Sequence, residues 1–210
     1  MTTTRLLRVD PRHPQPKLLR EAVAVLEGGG LVAFPTETFY GLGAKALDAE
    51  AVSRIFRVKG RPESKPLLIL VDSVKMAESL VGDVSAVARD LMSKYWPGPL
   101  TLVFKAIASL PQTLTAGTGT VGIRIPRQPV AFELVHAAGF PVTAPSANPS
   151  GEAPPTTAQE VRRVFNGEVE LILDGGPTTG GLPSTIVDVT VTPPRLLRKG
   201  ALDLPELERR

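Results

Sequence analysis

A dense group of cations is the first feature of the chain that could do chemistry. Residues 54–65 contain one acid, Glu63, and the basic residues Arg54, Arg57, Lys59, Arg61 and Lys65. Guanidinium and ammonium groups at this density can neutralise and orient phosphate oxygens. Cations also suit the C-terminal end of a helix, so a solvated helix end followed by a loop accounts for the cluster as well. The rest of the sequence has to decide between the two interpretations.

Three later segments add hydroxyl groups and arginines: residues 120–124, 146–151 and 196–200. Each has a purely structural alternative. Arg124 lies between Ile123 and Ile125, as on the polar face of a half-buried strand, and residues 146–151 can form a tight turn. Arg198 can lie on a surface strand. The chain is rich in loop Ser, Thr, Lys and Arg but poor in nucleophiles and bases, which favours chemistry by positioning and charge neutralisation, as in attack on a phosphoryl group.

Several familiar catalytic patterns are absent or out of context. Residues 117–122 match the dinucleotide-binding pattern G-x-G-x-x-G, but they run into a predicted strand instead of opening a helix. The sequence has no P-loop, no G-x-S-x-G and no S-x-x-K segment. Its two histidines, His13 and His136, are isolated, and it has no cysteine for a disulfide, a thiolate or a zinc site. We therefore predict no metal held by protein side chains.

Length and composition are those of one globular domain. The chain has 210 residues, 42% of them apolar, so we predict a single domain over residues 1–210. The formal net charge of +3 suits a solvated surface as well as an anionic partner. No apolar run approaches the roughly 20 residues that span a bilayer, and residues 1–20 lack the apolar core of a secretory signal. Together with the absence of cysteine, this predicts a cytoplasmic protein without membrane association.

Alternating helices and strands are expected to position the polar segments. Asp48 suits the N-cap of a helix that ends in the basic cluster, where Pro62 is expected to stop it. Thr157 and Glu160 form a capping box for a helix at residues 158–165. Further helices are predicted at residues 18–26, 73–80, 85–95 and 130–138, and strands at residues 31–34, 67–71, 100–105, 121–125, 141–144, 170–173 and 184–191. Since the last strands lack intervening helices, a mixed α/β sheet is favoured over a pure Rossmann fold.

Six short segments, taken in order along the chain, match the motifs of a known family. They are P-T-E-T-F-Y-G-L-G at residues 35–43, K-G-R-P with K-P-L at 59–67, W-P-G-P-L-T at 96–101, V-G-I-R-I-P at 121–126, A-P-S-A-N at 144–148 and S-T-I-V at 184–187. They resemble, in this order, P-T-D/E-T-x-Y-G-L, K-x-R-P-x-x-x-P-L, W-P-G-P-x-T, V-x-x-R-x-P, A-P-S-A-N and S-T-I/V. From about residue 18 to about residue 200 the chain thus resembles the YrdC-like family, whose members are threonylcarbamoyl-AMP synthases.

The resemblance implies a fold and a reaction. The fold is a twisted, mixed α/β sheet flanked by helices, with a large basic concave cleft. In the reaction, the amine of L-threonine takes up bicarbonate as a carbamate, which attacks the α-phosphorus of ATP to give L-threonylcarbamoyladenylate and pyrophosphate. A separate transferase, an implied partner, uses this product to modify an adenosine beside the anticodon of tRNA. Magnesium (Mg²⁺) on the ATP phosphates is also implied, held mainly by substrate and water.

The family's site residues can be carried over position by position. The implied catalytic residues are Lys59 and Arg61. Those implied to bind threonine are Thr38, Tyr40, Arg124, Ala144 and Ser184. Those implied to bind ATP are Arg61, Lys65, Thr120, Ser146, Asn148, Pro154 and Arg198.

Two positions depart from the family's pattern. Leu70 stands where some relatives place a histidine near the threonine pocket, so a polar side-chain contact is missing there. Pro154 stands where other members have a small polar residue, so only its carbonyl could contact ATP. The chain also ends about ten residues after Gly200, which predicts the short, single-domain form of the family without an additional C-terminal domain.

Two other functions stay open. A non-catalytic RNA-binding module would also present a basic cleft, although one tryptophan and two tyrosines offer little base stacking. A regulatory protein with an inactive site is the second alternative, and it predicts degraded polar positions, whereas Lys59, Arg61 and Arg124 are all present. If the protein is an enzyme, weak binding of RNA as an additional property stays open as well.

Overall fold

Two mixed β-sheets and their helices make up the computed structural model, which describes residues 3–204. The strands are β1 (Arg5–Arg8), β2 (Val32–Pro35), β3 (Tyr40–Gly43), β4 (Leu68–Leu70), β5 (Leu100–Lys105), β6 (Thr120–Arg124), β7 (Val142–Thr143), β8 (Leu171–Asp174), β9 (Thr185–Asp188) and β10 (Arg195–Arg198). The helices are α1 (Pro16–Glu27), α2 (Ala49–Lys59), α3 (Val74–Glu78), α4 (Ala86–Tyr95), α5 (Gln112–Thr115), α6 (Pro129–Ala138) and α7 (Ala158–Phe165). None of these helices is long and apolar enough to cross a membrane. Residues 1–2 and 205–210, the ends of the predicted domain, lie outside the described residues.

The strand order places residues that are distant in the chain side by side. In the first sheet the order is β1-β8-β2-β3, where only the β2–β3 pair is antiparallel. In the second sheet the order is β10-β9-β5-β6-β4-β7, and antiparallel and parallel pairs alternate along it. Parallel pairs need crossover connections, and helices supply several of them. In this order β5 and β6 are the two central strands of the second sheet.

The mixed α/β fold predicted from the sequence is confirmed, with corrections in detail. The strands divide into two sheets instead of one twisted sheet. The prediction omitted β1, β3, β10 and α5, and it placed a strand at residues 184–191 where β9 ends at Asp188. The short helices also differ, since α3 covers Val74–Glu78 within the predicted 73–80. Local patterns thus identified most elements but not their grouping into sheets.

Capping side chains at the N-termini of α2 and α7 explain where these helices begin. The Asp48 side chain accepts hydrogen bonds from the backbone N–H groups of Glu50 and Ala51, as an N-cap does. At α7, Thr157 and Glu160 form the predicted capping box. Both predicted caps are confirmed.

The C-terminal end of α2 corrects the expectation that Pro62 stops this helix. The helix ends at Lys59, and Gly60 follows with φ 57° in the left-handed region. Glycine adopts this conformation at little steric cost, which makes it the usual residue after a helix. Lys59 therefore lies on the last helical turn, whereas Arg61 lies in an irregular segment beyond it.

Alternate residues of β2 enter two different cores. Ala33 packs in the larger apolar cluster, with residues of α2, α4 and the second sheet. Val32 and Phe34 point to the opposite face and pack with α1 and α6. This period of two is what a strand buried on both faces requires. Burial on both sides fixes β2, and with it the loop that follows.

The two sheets meet at the edge strand β3. The N–H of Leu42 donates to the carbonyl of Pro145 at 2.8 Å, and the N–H of Ala147 donates to the carbonyl of Tyr40 at 2.8 Å. Gly41 and Ser146 form an isolated antiparallel bridge. Residues 144–147, which follow β7 of the second sheet, thus extend the first sheet. We call this contact the sheet junction.

Candidate active site

A cavity of about 370 Å³ lies beside the sheet junction, and residues of both sheets line it. The lining residues include every one predicted to bind threonine: Thr38, Tyr40, Arg124, Ala144 and Ser184. They also include four of those predicted to bind ATP: Arg61, Thr120, Ser146 and Arg198. Nine positions that are far apart in the sequence are therefore brought to one cavity. Their assignment to individual ligands stays a prediction.

Four other predicted residues do not line this cavity. Lys65 is exposed on the irregular segment after α2, and Pro154 is partly buried in the loop before α7. Asn148 is 8% exposed, and its Nδ2 donates to the carbonyls of Pro149 and Glu152. The fourth is Lys59, which contacts the loop around Asn148. The predicted roles of all four in ATP binding or catalysis stay predictions.

Lys59 holds the 146–150 loop from both its side chain and its backbone. The residue is 3% exposed. Its Nζ donates to the carbonyls of Ser146 and Asn148, and its own carbonyl accepts from the N–H of Ser150 at 2.7 Å. Burial, and then the charge of Arg61, lower the pKa of Lys59 to about 8. These contacts give Lys59 a positioning function for the loop that carries Ser146.

Arg61 is held by carbonyls of its own segment. Its Nε donates to the carbonyl of Lys65 at 3.3 Å, and its Nη2 donates to the carbonyl of Pro66 at 3.0 Å. Burial lowers its pKa from the usual value, but a guanidinium stays protonated in proteins. Arg61 therefore presents a permanent positive charge to the cavity.

The loop between β2 and β3 forms one wall of the cavity. The Thr36 hydroxyl accepts from the N–H groups of Thr38 and Phe39 and closes a local turn. The N–H of Gly180 donates to the Thr38 carbonyl at 2.9 Å. The Tyr40 hydroxyl donates to the Gly176 carbonyl at 2.7 Å, and burial raises the pKa of this phenol, which stays neutral. The wall is therefore fixed before any ligand arrives.

Arg124 stands at the end of β6 on the opposite wall. The residue is 2% exposed, and its Nη1 lies 3.6 Å from Oε1 of Glu37. Its Nε has no hydrogen-bond partner within the described residues. A buried guanidinium with spare donors suits a carboxylate ligand. Glu37 is a residue that sequence reasoning missed, although it lies inside the segment 35–43 whose motif was recognised.

Ser184 and Arg198 form a second polar group of the cavity. The Arg198 Nε and Nη2 donate to the carbonyl of Ser184 at 3.1 and 2.8 Å. The hydroxyls of Ser184 and Thr101 lie 2.9 Å apart. Partial burial, and then the charge of Arg124, lower the pKa of Arg198. Thr101 also lines the cavity and was missed, although it closes the recognised segment 96–101.

The charges around the cavity favour an anionic ligand. Its lining residues include three arginines, Arg61, Arg124 and Arg198, and no carboxylate among the residues described. Guanidinium groups bind carboxylates and phosphates through paired donors. Within residues 3–204 there is no group of three or more His, Asp or Glu side chains that could hold a metal ion. The donor set thus fits an anion, and it does not fit a metal held by protein side chains alone.

Comparison with protein families gives these residues a context. The sequence model of the Sua5/YciO/YrdC family, which carries the description "Telomere recombination", matches residues 24–200. The chain belongs to this family. The resemblance found in the six motifs is thereby confirmed, and every lining residue named above lies within the matched range.

Several relatives named threonylcarbamoyl-AMP synthase are similar to this member of the family. The one from Pyrococcus abyssi is 46% identical over 191 residues, which cover 91% of this chain and 56% of the relative. The one from Bacillus subtilis is 41% identical over 191 residues, which cover 90% of this chain and 55% of the relative. A putative one from Mycobacterium tuberculosis is 42% identical and is covered to 82%. The chain thus spans little more than half of the first two relatives.

Solved structures confirm the fold of the Sua5/YciO/YrdC family in this chain. Pyrococcus abyssi Sua5 complexed with L-threonine superposes with a TM-score of 0.93 at 43% identity, covering 98% of this chain and 60% of the other. Escherichia coli YciO superposes with a TM-score of 0.88 at 29% identity, covering 99% of this chain and all of the other (100%). The two-sheet fold described above is therefore that of the family.

Proposed function

We propose that the protein is a threonylcarbamoyl-AMP synthase, which makes L-threonylcarbamoyladenylate and pyrophosphate from L-threonine, bicarbonate and ATP. One observation carries the proposal: a single cavity combines a buried guanidinium at Arg124 with two further arginines and several hydroxyl groups. Such a cavity can hold an amino acid and a polyphosphate next to each other. The names of the relatives and the threonine complex of the Pyrococcus abyssi protein support the same assignment.

The amino acid would bind where the two walls face each other. Its carboxylate pairs with Arg124, whose guanidinium reaches the cavity from β6. The hydroxyls of Thr38 and Ser184 and the backbone at Ala144 supply hydrogen bonds to its remaining polar groups, and Tyr40 closes the side of the pocket. Several directed contacts of this kind can discriminate threonine from amino acids without a hydroxyl.

The nucleotide would bind along the rest of the cavity. Arg61 neutralises phosphate charge, with Lys65 beside it on the same segment, and Thr120, Ser146 and Arg198 orient the nucleotide. Lys59 supports this by holding the 146–150 loop, which also carries Asn148. The carbonyl of Pro154 stays a further proposed contact.

The reaction needs positioning and charge compensation more than proton transfer. The threonine amine and bicarbonate form a carbamate and release water. A carbamate oxygen then forms a bond to the α-phosphorus of ATP, while the bond from that phosphorus to the bridging oxygen breaks and pyrophosphate leaves. Arginines that are already in place stabilise the negative charge that builds up on the phosphoryl oxygens.

Magnesium and the cellular partners complete the proposal. Mg²⁺ would arrive with ATP, bound by phosphate oxygens and water, since it usually keeps several waters in nucleotide sites. The product would pass to a tRNA threonylcarbamoyl transferase, and both enzymes would work in the cytoplasm. Weak RNA affinity is a secondary property of a cationic cavity, and it would fall steeply with salt concentration.

Pyrophosphate release tests the proposed function. The protein is mixed with ATP, magnesium, threonine and bicarbonate, and each component is omitted in turn. We expect release that requires both threonine and bicarbonate, with the adenylate found by mass spectrometry. Arg195→Ala is a suitable control, because Arg195 lies on β10 like Arg198 but does not line the cavity. Release that ignores the omission of threonine or bicarbonate would disprove the proposal.

A further inference from the structure

Glu37 is a partly buried acid beside the cavity that has no role in the proposed function. Its side chain is 16% exposed, and Oε1 lies 3.6 Å from Nη1 of Arg124. Both carboxylate oxygens are buried, and neither has a hydrogen-bond partner within the described residues. Buried oxygens without a partner are rare in folded proteins, and each one needs an explanation.

The contact between Glu37 and Arg124 is an attraction of charges without a directed bond. A charge-assisted hydrogen bond between such groups measures about 2.7–2.9 Å, whereas these atoms are 3.6 Å apart. Arg124 is 2% exposed, so water screens the attraction only weakly. Loss of either partner would leave an uncompensated buried charge. The two side chains therefore depend on each other.

The pair connects the two walls of the cavity. Glu37 belongs to the loop between β2 and β3 of the first sheet, and Arg124 ends β6 of the second sheet. The backbone of the loop is fixed separately, because the Thr179 hydroxyl donates to the Glu37 carbonyl at 2.6 Å. Thr38, the next residue, lines the cavity together with Arg124. The Glu37 side chain is therefore not needed to hold its own loop, and its charge acts on the Arg124 guanidinium.

Arg124 also lies close to another cation. Its charge acts on Arg198, which lines the same cavity. Of the three arginines that line the cavity, only Arg124 has a carboxylate ion pair within residues 3–204. The negative charge of Glu37, 3.6 Å from Arg124, opposes the repulsion from Arg198 and keeps the guanidinium in place.

We propose that Glu37 is a positioning residue whose carboxylate holds the Arg124 guanidinium at the cavity wall, ready for the carboxylate of the amino-acid substrate. This inference rests on the proposed function, in which Arg124 binds threonine. Glu37 does not line the cavity, so it acts through Arg124 and not by touching the substrate. Threonine binding therefore depends on the charge at position 37, and ATP binding does not.

Three variants test this role in the pyrophosphate assay. Glu37→Gln removes the charge at nearly constant volume, and Glu37→Asp keeps the charge on a shorter side chain. Glu170→Gln is the matched control, because Glu170 forms a partly buried pair with Arg54 at 2.7 Å, and neither residue lines the cavity. The measurements are KM for threonine, KM for ATP and the melting temperature of each variant.

We expect Glu37→Gln to raise KM for threonine about tenfold, as for a coupled neighbouring pair, with KM for ATP changed less than about twofold. Glu37→Asp should recover part of the loss, and Glu170→Gln should change neither KM. An active Glu37→Gln enzyme with unchanged KM for threonine, or with equal rises for both substrates, would overturn the inference. So would a Glu37→Asp enzyme no better than Glu37→Gln.

Two further outcomes are also decisive. If Glu37→Gln does not fold, Glu37→Asp carries the test: a raised KM for threonine at an unchanged melting temperature supports the inference, and an unchanged KM overturns it. If the unaltered protein shows no threonine-dependent release of pyrophosphate, the proposed function fails and this inference fails with it. If the unaltered enzyme is active but the Glu37 variants do not show the expected change in KM for threonine, the inference fails and the proposed function stands.

Discussion

Two arginines of the same cavity are held in opposite ways. Arg124 ends a central strand of the second sheet, is 2% exposed and faces a buried carboxylate from the other wall. Arg61 lies in an irregular segment after α2, next to the exposed residues 62–65, and within residues 3–204 its guanidinium donates only to carbonyls of its own segment. One arginine is fixed by the tertiary structure, and the other by a local loop.

This difference matches what the two proposed ligands require. An amino acid is small and must be selected by exact placement of a few groups, which a buried guanidinium on a strand provides. A polyphosphate is larger, and its pyrophosphate part has to leave, which an open segment permits. The rigid wall would therefore set specificity, and the open segment would handle the leaving group.

Replacing Arg124 should have the largest effect. Arg124→Ala removes the proposed partner of the threonine carboxylate, and we expect kcat/KM for threonine to fall about a hundredfold or more. Isothermal titration should show threonine binding lost and binding of a non-hydrolysable ATP analogue retained.

A folding defect can be separated from this loss of binding. Arg124→Ala leaves the Glu37 carboxylate buried without its cation, so the variant is also destabilised. The double variant Arg124→Gln with Glu37→Gln carries neither charge and should recover stability but not threonine binding. Recovery of both would show that Arg124 serves only the fold.

Replacing Arg61 should have the second largest effect, on the other substrate. Arg61→Ala removes charge-assisted hydrogen bonds to phosphate, which corresponds to a loss of about tenfold to a hundredfold in kcat/KM for ATP. Titration should show weakened nucleotide binding with threonine binding nearly intact. The reverse pattern for Arg61 and Arg124 would break the proposed division of the cavity.

The lowered pKa of Lys59, the last residue of α2 before the open segment, predicts that the stability of the protein depends on pH. Burial, and then the charge of Arg61, lower the pKa of Lys59 to about 8, whereas an unfolded lysine titrates near pH 10.4. Between these values the unfolded chain binds more protons than the folded one, so Lys59 raises the free energy of unfolding as pH increases from about 8 to about 10.4. Lys59→Met should lose this rise, as measured by urea denaturation. The free energy of unfolding of the unaltered protein minus that of Lys59→Met should therefore rise over this range. A value that stays constant or falls would contradict the lowered pKa.

The smallest effect is expected from Tyr40→Phe on the rigid wall. The Tyr40 hydroxyl already has a hydrogen-bond partner within the protein, since it donates to the Gly176 carbonyl at 2.7 Å. Its loss should cost about 1 kcal/mol of stability, or about 2–4 °C in melting temperature for a chain of this size. KM for threonine should change less than about twofold in the pyrophosphate assay. A rise above about tenfold would show that the hydroxyl contacts the substrate directly.

The sequence predicted elements with local signals and missed those that depend on distant partners. The N-cap at Asp48 and the capping box at Thr157 act within one helical turn, and both were found. β1 was missed because it is stabilised by pairing with β8, which lies more than 160 residues away. The division into two sheets escaped prediction for the same reason.

The same limit applies to the candidate site. The motifs identified several residues that line the cavity, among them Thr38, Arg124 and Ser146, because each motif is a continuous segment; Thr101 was missed. They did not reveal that Lys59 binds carbonyls of residues 87 and 89 positions away, or that the Glu37 carboxylate lies 3.6 Å from the Arg124 guanidinium. Such contacts exist only after the sheets have come together.

The sheet junction has a thermodynamic consequence. Neither sheet alone carries a complete pocket, so a ligand that contacts both walls binds only the assembled chain. By mass action, each such ligand adds RT ln(1 + [L]/Kd) to the free energy of unfolding. Threonine and ATP would then help to keep the protein folded, and its lifetime in the cell would follow the supply of its own substrates.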